Sequence, residues 1–292
     1  MSAPPTAADR PILAATDLSS RSDRALARAA LLAAELGAPL VLLHALDDDQ
    51  PPGLLEAARR EARLALQRLA AALPGGMGRG AELLLAQGDP YRVIQQVAAE
   101  RGARLLVLGE HRRRPLADMF LGTTAERVLR SAPCPVLMVH RPAAGPYAQV
   151  LVATDLSDRA LAAWQAAALL GLLQRAQVSL LHVRESPPLA GIALGAQPPA
   201  AAAAAAEERQ AQSGAALADW AARGPALPAP RLLLQEGPPA MVIVEQAAAL
   251  QADLVVLGTA GRAGLARAIL GSVAAQVLGE IGCDALALPP QA

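Results

Sequence analysis

Residues 258–273 hold the spacing with the clearest chemical meaning: Gly258, two residues, Gly261, nine residues, then Gly271-Ser272-Val273. Glycines at 258 and 261 allow positive φ and let a backbone come close to a ligand, since no Cβ stands in the way. Downstream of Gly271-Ser272, the apolar residues Ala274, Ala275, Val277 and Leu278 recur at helical spacing, which predicts a helix opening there. A helix start presents unpaired N–H groups to an anion, and its dipole adds roughly 0.3–1 kcal/mol. The Ser272 hydroxyl can add a charge-assisted hydrogen bond worth about 1.5–3 kcal/mol. The pattern is a phosphate cradle that needs no lysine. The chain contains no Lys at all, which excludes a Walker P-loop, a Schiff-base enzyme and a kinase-type lysine.

Two carboxylates stand where ligands of α/β sheets gather. Asp17 follows Leu13-Ala14-Ala15-Thr16, and Asp155 follows Leu151-Val152-Ala153-Thr154. A carboxylate at the end of a buried strand can accept hydrogen bonds from a ribose or help hold a metal ion. It can equally close an Asx turn or cap the next helix. No spacing of His, Cys and carboxylates gives a metal site, and no Ser-His-Asp or Cys-His arrangement can be argued. His44 and His182 lie in apolar runs and read as strand histidines rather than ligands.

Composition narrows the rest. Charge is balanced at 26 basic and 26 acidic residues, without the basic stripe of a nucleic-acid binder. Five aromatics are too few for base-stacking platforms. No apolar run approaches the roughly 20 residues of a membrane span, and residues 1–10 do not read as a signal peptide. Cys134 and Cys283 have no CxxC partner and each precedes an apolar run, so buried free thiols in a reducing cytoplasm are expected.

The elements that must position these residues come in two copies. Leu13–Ser19 returns as Leu151–Ser157, a shift of 138 residues (155 − 17), and Leu42-Leu43-His44-Ala45 returns as Leu180-Leu181-His182-Val183 at the same shift. Leu105–Gly109 returns as Leu254–Gly258 at 149 (258 − 109), so the second copy holds eleven extra residues, expected in the low-complexity stretch Pro187–Ala206. The copies meet near 141–147, where Pro142, Gly145 and Pro146 interrupt regular structure. Expected domains are 1–143 and 147–292. In the first copy strands are predicted at 11–16, 39–46, 82–86, 104–109 and 135–140, and helices near 20–36, 54–73, 90–101 and 122–131, with Ser19 or Ser20 capping the first. A helix near 201–222 reads as surface cover or a lid near the site. Continuously apolar strands linked by helices mean α/β, doubly wound, with parallel sheets covered on both faces.

Gly258-x2-Gly261-x9-Gly271-Ser272 resembles the nucleotide motif of the universal stress protein family, and so do the Ala-Thr-Asp start, the Leu-Leu-His-Val strand and the terminal Cys-Asp-Ala-Leu-Ala-Leu strand. The resemblance spans nearly all of both copies. It implies two five-stranded parallel sheets of order 3-2-1-4-5, dimerisation through a sheet edge, a homodimer with an unknown protein partner, and ATP, with or without Mg²⁺, bound in a regulatory stress-response protein. By motif position Asp155, with Ala153 and Thr154 beside it, would meet the ribose region, the Val183 backbone the adenine, and Gly258 the ribose side. Gly261, Gly271, Ser272 and Val273 would surround the phosphates. The first copy departs from the motif: Arg112 stands where the second glycine belongs, between Gly109 and Gly122-Thr123. One site is expected, in the second copy. The alternatives are a nucleotide-independent scaffold or a slow ATPase.

Overall fold

In a computed structural model, residues 9–47, 51–109, 123–185, 199–259 and 270–290 are described. The first half runs β1 (Ile12–Ala15), α1 (Asp23–Leu36), β2 (Leu40–Leu46), α2 (Pro52–Ala72), β3 (Glu82–Gln87), α3 (Pro90–Glu100), β4 (Leu105–Gly109), α4 (Thr123–Ser131) and β5 (Val136–Val139). The second repeats it with β6 (Gln149–Thr154), α5 (Asp158–Leu169), β7 (Gln177–Arg184), α6 (Pro199–Ala222), β8 (Arg231–Glu236), α7 (Pro239–Ala249), β9 (Leu254–Gly258), α8 (Ser272–Glu280) and β10 (Asp284–Leu288). The expected strands and helices of the first copy all form, with ends within a few residues of expectation.

Strand order is β3-β2-β1-β4-β5 in the first half and β8-β7-β6-β9-β10 in the second, all parallel within each half. This is the doubly wound 3-2-1-4-5 order, present twice. Successive strand residues face opposite layers. Ile12 and Ala14 join one core with Leu26 of α1, Leu66 of α2, Trp164 of α5 and Trp220 of α6. Leu13 joins the other, with Val93 of α3, Val128 of α4, Ile243 of α7 and Val277 of α8. Four helices therefore cover each face, which is why the strands can be apolar on both sides.

The two halves share one ten-stranded sheet, because β5 and β10 pair antiparallel through Met138–Ala285, Leu137–Leu286 and Val136–Ala287. The sheet edge through which the family resemblance implied dimerisation is thus closed inside the chain. A buried polar cluster pins the join. Asp284 accepts from the His140 and Arg141 N–H groups (2.8 and 3.1 Å) and from the Tyr147 hydroxyl (2.7 Å). Arg28 of α1 lies 3.4 Å from the same carboxylate, donates to the Gly145 carbonyl at 2.6 Å, and stacks over the Tyr147 ring. Burial, with Asp284 beside it, holds the Tyr147 hydroxyl well above its ordinary pKa.

Neither Ser19 nor Ser20 caps α1; the cap position is Ser22, in a helical conformation and without a side-chain capping bond. The Ser22 hydroxyl donates instead to the Ser19 carbonyl (2.7 Å) and meets the Thr16 hydroxyl (2.6 Å), while the Ser19 hydroxyl turns to Asp17. The eleven extra residues fall between β7 and β8, where α6 begins fifteen positions after Arg184 while α2 begins six after Leu46 (199 − 184 and 52 − 46). Of the Pro187–Ala206 stretch, residues 187–198 lie outside the described residues.

Candidate functional site

The chain leaves β6 for β7 on one side and later places β9 on the other, so sheet order reverses between β6 and β9. A crevice at the carboxyl ends of two strands that diverge in this way is where such sheets take ligands. A cavity of about 770 Å³ opens there. It is lined by Ala153, Thr154 and Asp155 from the end of β6, Val183 from β7, Gly258 from β9, and Gly271, Ser272 and Val273 at the start of α8. Eight of the nine residues singled out in the sequence therefore share one cavity. The ninth, Gly261, lies outside the described residues.

The turn after β6 is tightly specified. Leu156 sits at φ +66°, a conformation that costs a non-glycine residue roughly 1–2 kcal/mol. Thr154 helps hold it there, its hydroxyl oxygen accepting from the Leu156 N–H at 2.9 Å. Asp155 Oδ1 accepts from the Ser157 N–H at 3.0 Å, an Asx turn, and no side-chain donor meets its other oxygen among the described residues. Both readings of this carboxylate are thus compatible: one oxygen closes the turn, and the residue lines the cavity. Ser157 caps α5, its hydroxyl oxygen accepting from the Ala160 N–H at 3.2 Å.

At the opposite wall, Gly271 occupies the cap position of α8 and its N–H donates to the Thr259 carbonyl at 2.7 Å. The first helical bond runs from Ala275 to Gly271 (2.9 Å), so the N–H groups of Ser272, Val273 and Ala274 have no acceptor within the helix. Ser272 and Val273 are solvent-exposed and Ala274 is buried beneath them. Apolar walls come from Leu181, Ile243 and Leu257.

One expectation about the glycines is corrected. Gly258 ends an extended strand without positive φ, and an added Cβ would stand 3.5 Å from the Ala160 nitrogen, an ordinary contact. Gly271 also has negative φ, at −60°. Their value here is the absence of a side chain at the cavity wall, not a left-handed backbone. Residues passed over in the sequence also belong to the wall. His182 lines the cavity while its Nδ1 pairs with the Thr154 carbonyl at 2.9 Å, and Thr259 is buried with its hydroxyl on the Leu288 carbonyl. The repeat of His44 at His182 was the available signal, since His44 makes the same bond to Thr16.

The corresponding place in the first half holds a cavity of about 250 Å³, walled by Thr16, Asp17, Ser22, His44 and Gly109. Here Asp17 Oδ1 accepts from both the N–H (2.9 Å) and the hydroxyl (2.5 Å) of Ser19, and Oδ2 lies 3.8 Å from Arg21. Burial works to raise the Asp17 pKa, but the hydrogen bonds from Ser19 and Ser22 and the Arg21 charge bring it below the ordinary value. Arg112 and Gly122 lie outside the described residues. Among the described residues no group of His, Cys, Asp and Glu could hold a metal ion, and no helix is long and apolar enough to cross a membrane. Cys134 and Cys283 are buried and free, and burial pushes both thiols up to about 12.

Comparison with known proteins agrees with this fold. The family model described as "Universal stress protein family" matches twice, over residues 10–140 and 146–289. A universal stress protein of Thermus aquaticus, encoded 3′ of a QAH/OAS sulfhydrylase, is 36% identical over 134 residues, covering 44% of this chain and 97% of that protein. The universal stress protein E homolog of Haemophilus influenzae is 44% identical over 57 residues, covering 20% of this chain and 18% of that protein's length. Among solved structures, a universal stress protein from Archaeoglobus fulgidus superposes with a TM-score of 0.68 over 96% of this chain and 98% of that one, a likeness of fold at 18% identity.

Proposed function

The chain belongs to the universal stress protein family, and from that premise we propose that its second domain, residues 147–292, binds an adenine nucleotide, ATP, as a regulatory module. The observation that carries this reading is the 770 Å³ cavity at the β6–β9 reversal, which falls in the roughly 300–1,000 Å³ range of small-molecule sites. Its walls suit the ligand: unpaired N–H groups at the start of α8 for phosphate, an available Asp155 oxygen for ribose hydroxyls, and the Val183 backbone for adenine. Mg²⁺ would arrive with the triphosphate. Occupancy would alter association with a protein partner, and a homodimer would form through a surface other than the β5–β10 pairing. Two buried free thiols suit the cytoplasm.

A second reading rests on the first domain, residues 1–143. Its smaller cavity and engaged Asp17 suit a scaffold that binds no nucleotide. Slow ATP hydrolysis would need a base or water-positioning group beside the γ-phosphate. Thermal unfolding with and without millimolar MgATP tests the leading reading. Ligand at 100 times its Kd stabilises the native state by about 2.7 kcal/mol. Wild type should show that shift, Ser272→Ala a smaller one and Gly271→Arg none; an unshifted wild type overturns the reading in favour of the scaffold.

A further inference from the structure

The second half contains both tryptophans of the chain, Trp164 on α5 and Trp220 in the last turn of α6, and they stack at 5.4 Å between ring centroids. Trp164 is 1% exposed and Trp220 3%. The two indoles end differently. Trp164 Nε1 is buried with no hydrogen-bond partner, whereas Trp220 Nε1 donates to the Ser157 carbonyl at 3.2 Å. That carbonyl also accepts the Leu161 N–H, at 3.1 Å.

Ser157 is thus tied on three sides. Its N–H is held by the Asp155 carboxylate, its hydroxyl oxygen caps α5, and its carbonyl is gripped by α6. Among the described residues Asp155 closes its turn on Ser157 alone, so a shift of Ser157 carries the carboxylate with it. The first half has no such grip: neither α1 nor α2 carries a tryptophan, and the Ser19 carbonyl is satisfied by Ser22 instead. Among the described residues none of α6 lines the cavity, and its reach to Ser157 links it to the site.

We propose that Trp220 is a positioning residue of the nucleotide site, fixing through the Ser157 carbonyl the turn that aims the Asp155 carboxylate at the ribose. This rests on the reading that the second domain binds ATP. Its signature is selective, because a carboxylate that meets the ribose hydroxyls distinguishes ATP from 2′-deoxy-ATP. Trp220→Phe keeps a ring in the stack and removes only the N–H donor side. Trp164→Phe is the matched control, removing the same atoms from the same stack without touching the turn.

Binding of MgATP and Mg-2′-deoxy-ATP to the full chain is measured by calorimetry. Wild type should favour ATP. Trp220→Phe should weaken ATP about three- to tenfold, the range of one lost hydrogen bond, and shrink the ATP preference, while Trp164→Phe keeps it. An unchanged ATP preference in Trp220→Phe, or equal loss in both variants, overturns the proposal. If wild type binds neither nucleotide, the site assignment itself has failed and not the role of Trp220. Should Trp220→Phe not fold, the Trp164→Phe chain carries Trp220 as its sole tryptophan. Its emission should then shift with ATP more than with 2′-deoxy-ATP, and equal or absent shifts overturn the proposal.

Discussion

The two halves share a strand order and a Thr-Asp-Leu-Ser turn, yet they use the hydrogen bonds of that turn differently. In the second, Ser157 caps α5, which begins at the next residue, and among the described residues Asp155 keeps one oxygen clear of side-chain donors. In the first, Ser19 spends its hydroxyl on Asp17, Arg21 approaches the other oxygen, and α1 starts only at Asp23. The matching cavities measure about 770 and 250 Å³. A repeat can therefore keep its scaffold while local side-chain ties decide how its strand-end carboxylate is engaged. Strand order is common to both halves; the side-chain ties of the turn are not.

The contrast can be broken or sharpened, beginning with the largest effect. Asp284 has no acidic counterpart in the first half, where Pro135 stands at the matching position (284 − 149), so Asp284→Ala tests a one-sided join. Removing this buried partner of Arg28 should cost about 3–5 kcal/mol in urea unfolding; a cost near 1 kcal/mol would mean the β5–β10 pairing holds unaided. The thiols should instead behave alike. Both have folded pKa values raised from 9.0 to about 12, so the stability they contribute is complete below pH 9 and lost as pH climbs from 9 toward 12. Cys134→Ala and Cys283→Ala should each flatten that decline by roughly 1.4 kcal/mol per pH unit, and a change in one variant alone would break the equivalence.

Gly224 comes next. A Cβ there would lie 2.0 Å from the Trp164 ring, so Gly224→Ala should cost about 1–3 kcal/mol through overpacking. Gly75, its counterpart, faces open space at φ +63°, and Gly75→Ala should cost about 1 kcal/mol through backbone strain alone. Thermal melts of the pair check the order. Smallest is the serine contrast: Ser157→Ala should lose about 1 kcal/mol as a helix cap, and Ser19→Ala about half that. Equal losses would mean that Ser19 acts as a cap after all.

Much of this was legible beforehand, for identifiable reasons. Runs such as Leu105–Gly109 and Leu254–Gly258 are apolar throughout because helices cover both sheet faces, so the doubly wound class and the repeat could be read directly, while the 3-2-1-4-5 order came from the family resemblance. Asp155, Gly258 and Gly271 were found because the ends of parallel strands and the start of a helix converge on one crevice. Tertiary ties were not legible. Ser22 displaced Ser19 as the start of α1 because Asp17 takes the Ser19 hydroxyl. Positive φ appears at Leu18 and Leu156, whose residue type conceals it, and not at Gly258. The Trp220 bond spans 63 residues and the Asp284–Tyr147 bond 137, distances at which no local pattern speaks.

The most direct test of one site per chain is a calorimetric titration of the intact protein with MgATP, repeated for Gly271→Arg and Asp17→Ala. One nucleotide should bind per chain, with binding lost in Gly271→Arg and unchanged in Asp17→Ala. Two nucleotides per chain, or binding that survives Gly271→Arg and falls in Asp17→Ala, would contradict the assignment of the site to the second half.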